Sequence, residues 1–265
     1  MTTDRNTTIR WALVTGATRG IGLALAKGLA QRGYGLILVA RSEEGLKRTA
    51  QEMLKEGTPA VEYSPIDLAA SGAAERLHEL YGEWRVEVVV NNAGTFIYRD
   101  LAECEGERVE QILALHIVAT TELCRLFGGD MAERGVGYIL NMSSYAAWVS
   151  VGGLGLYSAT KSYVERMSYA LRDELRERGV SVTVALPAGV ATDLYGLPEV
   201  WQRRGVRLGV LKTPERIADR CLEGMFRGRR RVVPGVINRV MRPVVSHLPG
   251  WVRRVLRKKT VGFQK

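Results

Sequence analysis

WALVTGATRGIGLALAKGLAQRG, residues 11–33, joins an apolar run to a glycine-rich turn and then to a helical pattern. The run Trp11–Thr15 has the length and flanks of a buried strand. Strand, glycine turn and helix form a setting that binds dinucleotides, because the N-terminal end of a helix favours phosphate. In this G-x-x-x-G-x-G spacing, Gly16 allows the tight turn and Gly20 lets the backbone approach a pyrophosphate. Gly22 lets the helix pack close to the sheet.

Strand-like and helical segments alternate along the rest of the chain. This alternation predicts an α/β fold, a Rossmann-like, doubly wound parallel sheet of about seven strands with helices on both faces. The predicted strands are Trp11–Thr15, Leu36–Ala40, Val61–Ser64, Val86–Asn91, Tyr138–Met142, Val180–Leu186 and Arg231–Val233. The longest helical patterns run from about Cys104 to Arg134 and from Tyr157 to Arg178. Ligands bind beyond the carboxyl ends of such strands.

Tyr157 stands four residues before Lys161, and Ser144 lies thirteen residues upstream of the tyrosine. On a helix, residues four apart lie on the same face. A fixed cation beside a phenol favours the phenolate, and so lowers a pKa that is ordinarily about 10 towards the working range. The spacing therefore indicates an acid–base pair, although tyrosine and lysine also fall four apart by chance in many helices.

Six segments in this order resemble the classical short-chain dehydrogenase/reductase family. They are Thr15–Gly22 (TGATRGIG), Asp67–Leu68, Asn91–Gly94 (NNAG), Asn141–Ser144 (NMSS), Tyr157–Lys161 (YSATK) and Pro187–Thr192 (PAGVAT). The resemblance covers roughly residues 9 to 234. It implies a hydride transfer between a nicotinamide cofactor and a carbonyl carbon, with no metal.

The resemblance also implies roles for individual residues. Tyr157 would give its proton to the carbonyl oxygen, Ser144 would hydrogen-bond the same oxygen, and Lys161 would keep the pKa of the tyrosine low. Ser143 is the rival of Ser144, but its spacing from Tyr157 is one residue too long. The cofactor is expected to contact Gly16, Thr18, Arg19, Gly20, Ile21, Gly22, Arg41, Asp67, Leu68, Asn91, Ala93, Gly94, Tyr157, Lys161, Pro187, Gly189, Val190 and Thr192.

One departure from the family pattern concerns the long fourth helix. His116 stands where the family usually has an asparagine, which is thought to shape a helix bulge that holds a water beside the lysine. His116 is therefore a further catalytic candidate, since a ring nitrogen could hold that water or the ring could titrate in the working pH range. The alternative is a core histidine. A milder departure is Pro187-Ala188 in place of proline-glycine.

The choice of cofactor follows from the residue after the second strand. An NAD site usually carries an acid there, whereas this chain has Arg41, with Arg19 inside the glycine turn. Two guanidinium groups suit a ribose 2′-phosphate. Glu43 and Glu44 are better explained as acids of the first turn of a helix. We therefore expect NADP(H), and reduction rather than oxidation.

Composition agrees with one α/β domain in a reducing compartment. The chain has 265 residues, of which 46% are hydrophobic. Its cysteines, Cys104, Cys124 and Cys221, have no metal-ligand spacing and are expected to be free thiols. The first ten residues are polar, which predicts no cleaved signal peptide, and no apolar run reaches the length of a membrane span. The expected location is cytoplasmic, with membrane association as an alternative.

The segment 190–212 has the length of the family's substrate loop. It offers Leu194, Tyr195, Leu197, Val200 and Trp201, while Tyr145 and Trp148 are expected on the facing loop. These side chains predict a lipophilic pocket. The leading hypothesis is an NADPH-dependent reductase of a lipophilic, oxoacyl or lipid-like ketone. The alternatives are an alcohol dehydrogenase acting on a steroid, retinoid or small polyol, and a non-catalytic dinucleotide sensor or scaffold.

The C-terminal part, residues 235–265, is expected to be a basic amphipathic extension of the domain formed by residues 1–234. From Arg227 onward the chain has twelve lysines and arginines and no acid, against a net charge of +10 overall. Apolar residues recur at helical spacing over 236–248, and Trp251, Val252, Val255 and Leu256 repeat the pattern. The extension would lie on a membrane surface, or pack on the domain or on a second subunit. The other expected partners are further copies of the chain, as a homodimer or homotetramer, and no nucleic acid.

Overall fold

Seven parallel strands form the centre of the fold. They are β1 (Trp11–Thr15), β2 (Gly35–Ala40), β3 (Val61–Pro65), β4 (Val86–Asn91), β5 (Gly137–Met142), β6 (Val180–Ala185) and β7 (Arg231–Val232). The sheet runs in the order β3-β2-β1-β4-β5-β6-β7. The computed structural model describes residues 8–192, 199–207, 211–235 and 249–260, and positions 240, 243 and 247. The predicted fold class is confirmed, and every predicted strand is found with its ends within one residue.

Helices fill the intervals between the strands. They are α1 (Gly20–Ala30), α2 (Glu43–Lys55), α3 (Ala73–Tyr81), α4 (Gly106–Arg134), α5 (Gly155–Leu175), α6 (Glu199–Arg207), α7 (Pro214–Phe226) and α8 (Gly250–Thr260). Ser42 accepts a hydrogen bond from the Gly45 N–H and so caps α2, whose first turn contains Glu43 and Glu44. These two acids therefore have the helix role expected of them, because a negative charge is favourable at this end of a helix.

Alternate side chains of each strand enter the two cores on opposite faces of the sheet. Ala12 and Val14 pack with residues of α1, α2 and α7, whereas Trp11 and Leu13 pack with residues of α3 and α4. Because both faces are covered, the central strands β1 and β2 are near-continuous apolar runs rather than alternating ones.

The long helix α4 contains a π-helical turn at Ala114–Val118. By length and composition α4 could cross a membrane, with a mean hydropathy of 1.3 over its most apolar window, but core helices of soluble proteins pass the same test. Here Leu123, Phe127 and Met131 are buried against the sheet. The helix is therefore a core element of this fold. The sequence analysis considered only uninterrupted apolar runs, and so it did not identify α4 as long and apolar enough to span a membrane.

Strand order reverses between β1 and β4, whose following helices cover opposite faces. A crevice opens at the carboxyl ends of strands where such a reversal occurs. The glycine turn after β1 and the Asn92–Gly94 segment after β4 meet there. The topology therefore brings together segments that lie about 75 residues apart in the sequence.

Candidate active site

The glycine turn after β1 requires three of its glycines, for two different reasons. Gly16 and Gly20 have φ angles of +65° and +57°, a region that side chains disfavour. Gly22 has an ordinary backbone, but a Cβ there would lie 2.1 Å from the Gly16 carbonyl oxygen. The spacing therefore reflects two left-handed residues and one close approach between helix and turn.

Hydrogen bonds from Thr15 and Asn92 hold this turn against the end of β4. The Thr15 Oγ1 accepts from the backbone N–H groups of Asn92 and Ala93, both at 2.9 Å. The Asn92 Nδ2 donates to the Thr15 carbonyl oxygen at 3.0 Å. These bonds fix the floor of the crevice before any ligand binds.

The N-terminus of α1 is prepared for an anion. Arg19 is its N-cap residue, but no side chain caps the helix and its first turn contains no acid. The first N–H groups of a helix lack intrahelical acceptors, and the helix dipole favours negative charge at this end. A phosphate group of a dinucleotide would satisfy both requirements.

A cluster of cations surrounds the end of β2. Arg41 follows the strand, and Arg19 and Arg48 line the same cavity. Helix α2 lies close to the glycine turn because Gly45 has no side chain, and a Cβ at Gly45 would lie 3.1 Å from the Thr18 Cγ2. Arg48 follows Gly45 by one helical turn and therefore faces the cavity as well. Three guanidinium groups thus surround the position expected for a ribose 2′-phosphate.

At the other end of the cavity, Ser144, Tyr157 and Lys161 come together, and all three are buried. The Lys161 Nζ lies 5.9 Å from the centre of the Tyr157 ring and donates to the Met142 carbonyl oxygen at 3.0 Å. Burial lowers the pKa of Lys161 from its ordinary value of 10.5 to about 8. The ammonium is thus mostly charged at neutral pH, as a group that stabilises a phenolate must be.

Ser143 and Ser144 have different surroundings. The Ser143 hydroxyl donates to the Lys161 carbonyl oxygen at 2.7 Å, and so its hydrogen is used within the protein. The Ser144 Oγ accepts from the Ala146 N–H at 3.1 Å. That bond leaves the Ser144 hydroxyl hydrogen for a ligand, which supports Ser144 over its neighbour as the residue that binds a carbonyl oxygen.

His116 lies in the π-helical turn of α4 and is 1% exposed. Its Nε2 accepts from the Thr95 N–H at 3.0 Å, and its Nδ1 lies 2.9 Å from the Thr160 Oγ1. The Thr160 hydroxyl donates to the Tyr157 carbonyl oxygen, so the proton of the ring must be on Nδ1. Both ring nitrogens are therefore engaged with protein atoms, which corrects the expectation that one of them holds a water.

The same surroundings exclude titration of His116 in the working pH range. Burial lowers its pKa from 6.5 to about 2, and the positive charges of Lys161 and Arg108 act in the same direction. The structure therefore agrees with the core-histidine alternative. The ring positions Thr95 and Thr160 beside Tyr157 and forms part of the π-helical turn, in the place where the family usually has an asparagine.

A pH dependence of stability follows from this burial. Between pH 6.5 and pH 2 the unfolded chain binds a proton at His116 and the folded chain does not, so stability falls as the pH drops. We expect wild type to lose about 1.4 kcal/mol more per pH unit than His116→Asn between pH 6 and pH 4.5. Urea unfolding at several pH values measures this difference, with His247→Asn at an exposed position as control. If the free energy of unfolding had the same pH dependence in wild type and in His116→Asn, this prediction would be contradicted.

The arginines at the end of β2 and the group of Ser144, Tyr157 and Lys161 line opposite ends of one continuous cavity of about 810 Å³. The predicted residues that line it are Gly16, Thr18, Arg19, Gly20, Ile21, Gly22, Arg41, Asp67, Leu68, Ala93, Gly94, Ser144, Tyr157, Lys161, Pro187, Val190 and Thr192. Three predicted residues, Asn91, Gly189 and His116, do not line it. The sequence therefore located about half of the cavity wall, and the three remaining predicted residues lie beside it.

The side chain of Asn91 lies in the core and not in the cavity wall. Its Nδ2 donates to the Asn141 Oδ1 at 2.8 Å and to the Cys124 Sγ at 3.3 Å, and so its side chain joins β4 to β5 inside the core. The neighbouring Asn92 lines the cavity instead. Successive side chains of a strand point to opposite faces, which explains the exchange between two adjacent asparagines.

A second correction concerns Tyr145 and Trp148. Their rings lie 5.2 Å apart and pack with Leu186 and Val233, away from the residues that line the cavity. The Trp148 Nε1 donates to the Glu165 Oε2 at 2.7 Å. Apolar contacts around Tyr157 come from another region, where Phe96 lies edge-on to its ring at 5.1 Å, with Leu154 and Leu156 in the same cluster.

Part of the predicted substrate segment, residues 190–212, belongs to the described structure. Leu194, Tyr195 and Leu197 lie outside the described residues. The base of the segment is closed by a parallel bridge between Val190 and Lys212, and Gln202 of α6 lines the cavity. Val200 and Trp201 are largely exposed.

Sequence reasoning missed several lining residues, chiefly Arg48, Asn92, Thr95, Arg108 and Gln111. Arg108 donates to the Thr95 Oγ1 at 2.9 Å and to the Gln111 Oε1 at 2.6 Å. Helical spacing from Gly45 would have pointed to Arg48. No pattern in the sequence indicates that α4 packs beside the segment after β4. Arg108 could therefore not be identified as a lining residue from the sequence.

Comparison with known proteins places this geometry in a family. The family model for short chain dehydrogenases matches residues 10–199. The chain belongs to the short-chain dehydrogenase/reductase family. It is therefore an oxidoreductase domain, and the expected fold, glycine turn and order of motifs are those of its family.

Two curated relatives and two solved structures illustrate the similarity. The very-long-chain 3-oxoacyl-CoA reductase of Homo sapiens is 27% identical over 91% of this chain and 76% of the relative. The ketoacyl reductase HetN of Nostoc sp. is 29% identical over 80% of this chain and 74% of the relative. A dehydrogenase from Sphingobium yanoikuyae in complex with NADPH is 27% identical, with a TM-score of 0.78 and coverage of 91% and 97%. A metagenomic oxidoreductase in complex with NADP is 27% identical, with a TM-score of 0.68 and coverage of 86% and 98%.

The residues of the cavity suit NADP(H). Arginines surround one end, an uncapped helix N-terminus lies in the middle, and Lys161 and Tyr157 lie at the other end. Space for a ligand beside Lys161 depends on Gly94, where a Cβ would lie 3.1 Å from the His116 Nε2 and 3.5 Å from the Lys161 Nζ. Within the described part of the chain, no group of three histidine, cysteine or acidic side chains could hold a metal ion.

Proposed function

We propose that the protein uses NADPH to reduce the ketone of a lipophilic, oxoacyl-type substrate. The observation that carries the proposal is the meeting of Ser144, Tyr157 and Lys161 at one end of a cavity whose other end is lined by Arg19, Arg41 and Arg48. NADPH, when bound, supplies the hydride. The three residues at the opposite end supply the remaining requirements of a carbonyl reduction.

Ser144 and Tyr157 both bind the carbonyl oxygen in this proposal. Ser144 donates its free hydroxyl hydrogen and so orients the oxygen, and Tyr157 transfers its phenolic proton to that oxygen. Lys161 stabilises the phenolate that remains, because its charged Nζ is held near the ring by the Met142 carbonyl oxygen. His116 takes no part in the transfer and holds the backbone beside Tyr157 through Thr160.

Two observations support an oxoacyl or lipid-like substrate. Relatives over most of the chain bear the names very-long-chain 3-oxoacyl-CoA reductase and ketoacyl reductase. One side of the Tyr157 ring packs with the apolar cluster of Phe96, Leu154 and Leu156, and the apolar side chains of Leu115 and Met142 line the cavity. Apolar surroundings favour a hydrocarbon chain over a polyol, since burial of each methylene contributes about 0.8 kcal/mol.

The substrate class is tested by measuring the oxidation of NADPH and NADH side by side over a series of 3-oxoacyl thioesters and oxoesters of increasing chain length. We expect turnover with NADPH, and kcat/KM that rises about three- to fourfold per added methylene until the pocket is filled. Rates independent of chain length would contradict the lipophilic substrate, although the catalytic roles would stand. Steroid ketones in the same series test the alternative substrate class.

We also propose that the protein is a cytoplasmic homo-oligomer. Val118 of α4 and Tyr163 of α5 lie on the outer side of neighbouring helices and are 56% and 37% exposed, and the Tyr163 hydroxyl lies 2.9 Å from the Thr121 Oγ1. Large exposed apolar side chains on paired helices are typical of a subunit interface. Light scattering measures the mass of the assembly, and a monomeric wild type would contradict the proposal. The free cysteines support a reducing compartment, which fractionation of cells tests.

A further inference from the structure

The C-terminal helix α8 lies beside the segments that flank Tyr157. These flanking segments, residues 95–104 and 149–156, are joined by a hydrogen bond of 2.8 Å from the Arg99 N–H to the Gly153 carbonyl oxygen. They hold Phe96 and Leu154 against the Tyr157 ring. A substrate that reaches Tyr157 from this side must therefore pass the flanking segments.

One residue of α8, Arg257, contacts both flanking segments. Its guanidinium forms an ion pair with the carboxylate of Asp100. Its side-chain stem lies over Gly152, where a Cβ would stand 2.7 Å from the Arg257 Cδ. The basic extension is thus attached at a defined place, next to the approach to Tyr157.

The opposite side of α8 exposes apolar side chains. Trp251 and Val255 are one helical turn apart and are 65% and 45% exposed. At about 100° per residue, Val255 lies roughly 160° around the helix from Arg257. Lys258 lies beside the apolar pair, one helical turn after Val255, and Arg254 lies at the edge of this side, about 60° around the helix from Trp251; both are exposed. The face formed by Trp251, Arg254, Val255 and Lys258 is called the outer face of α8 below.

The charge of this region decides what the outer face can bind. From Arg227 to the C-terminus there are twelve basic residues and no acid. Two copies of the outer face brought together would place like charges against each other, which is unfavourable. An anionic bilayer can bind both the apolar and the basic side chains of the outer face. Tryptophan is favoured at the bilayer interface, and each lysine or arginine near the surface contributes about 1 kcal/mol to binding.

We propose that the outer face of α8 binds an anionic lipid bilayer and holds the approach to Tyr157 at the membrane surface. The proposal rests on the lipophilic substrate proposed above. A long-chain ketone dissolved in the bilayer would then reach the flanking segments without crossing water. The ion pair between Arg257 and Asp100 fixes the orientation of the domain on the membrane.

Binding is tested with the full chain by sedimentation with vesicles of equal parts phosphatidylglycerol and phosphatidylcholine, and with phosphatidylcholine alone. We expect binding to the anionic vesicles only. Trp251→Ala/Val255→Ala should weaken it about tenfold, and Arg254→Glu/Lys258→Glu by roughly 30-fold or more. The controls are Leu54→Ala/Leu80→Ala and Lys55→Glu/Arg76→Glu, which make the same changes on exposed positions of α2 and α3.

Orientation is tested with Asp100→Asn, which removes the ion pair and leaves the outer face of α8 unchanged. We expect this variant to bind anionic vesicles as wild type does and to reduce a short, water-soluble oxoester at the wild-type rate. We also expect it to lose most of the stimulation that anionic vesicles give to reduction of a long-chain ketone. Retained stimulation would contradict the orienting role of the Asp100–Arg257 pair.

The remaining outcomes also decide between explanations. Equal sedimentation with both kinds of vesicle, or no weakening in the Trp251→Ala/Val255→Ala variant, would overturn the membrane proposal. So would a change of this variant from dimer to monomer without any change in vesicle binding, since the outer face would then pair with a second copy. A wild type that binds anionic vesicles but reduces no ketone would overturn the proposed function while the lipid-binding face remained.

Discussion

Replacement of Tyr157 by phenylalanine is expected to lower kcat for ketone reduction by about 10²- to 10⁴-fold, the usual contribution of a positioned proton donor. The change removes one oxygen atom from a ring that is 4% exposed and packed against Phe96. The ring contacts remain, so the cavity should keep its shape. The loss of rate would then measure the contribution of the phenolic proton to catalysis.

Three measurements separate this effect from a loss of structure. NADPH binding, followed by the fluorescence of the cofactor, should change by less than about threefold, since the arginines and the helix N-terminus that bind phosphate lie at the other end of the cavity. Thermal unfolding should be close to that of wild type. Tyr163→Phe, six residues further along α5 with a partly exposed ring, is the matched control and should retain its activity. Full turnover by Tyr157→Phe would remove Tyr157 from the mechanism.

Replacement of Arg41 by aspartate is expected to reduce the preference for NADPH over NADH by about 100-fold. Hydrogen bonds to a charged partner are worth about 1.5 to 3 kcal/mol, and the new carboxylate would add repulsion of the 2′-phosphate. An acid at this position is also what a ribose with free hydroxyls prefers, so affinity for NADH should rise. The measured quantity is the ratio of kcat/KM for the two cofactors.

Neighbouring arginines provide the comparison for this variant. Arg48 lines the same end of the cavity, and Arg48→Ala should weaken NADPH without improving NADH, because it removes a cation and supplies no acid. Arg76→Asp makes the same change of charge on the exposed side of α3 and should leave the ratio unchanged. If NADPH binding were unchanged in Arg41→Asp and lost in Arg48→Ala, the 2′-phosphate site would be on α2 rather than at the end of β2.

His116 shows how an unusual residue can keep the local backbone of its family. A π-helical turn is present at Ala114–Val118 although the usual asparagine is absent. The ring accepts the Thr95 N–H and contacts Thr160, and these bonds compensate for its burial. The sequence identified the position as abnormal. Only its burial and the positions of its neighbours decided between a titrating group and a core residue.

The sequence by itself determined the seven strands, the glycine turn and about half of the residues that line the cavity. Strand runs were readable because both faces of the sheet are covered, which requires continuous apolar segments. The glycines at 16, 20 and 22 were readable because the backbone geometry and the close approach at these positions exclude side chains. These signals are local, and each is present within about ten residues of the chain.

Tertiary structure decided every question that depended on which side of an element faces the cavity. Asn91 and Asn92 are identical in type, and the pleat of β4 sends one into the core and the other to the cavity. Tyr145 and Trp148 pack in the cluster with Leu186, whereas Phe96, which belongs to another segment, packs against Tyr157. Arg108 in the cavity wall and the contact of Arg257 with Asp100 depend on the packing of distant elements, up to 157 residues apart. Such contacts form only when the whole sheet and its helices are assembled, so no local pattern in the sequence specifies them.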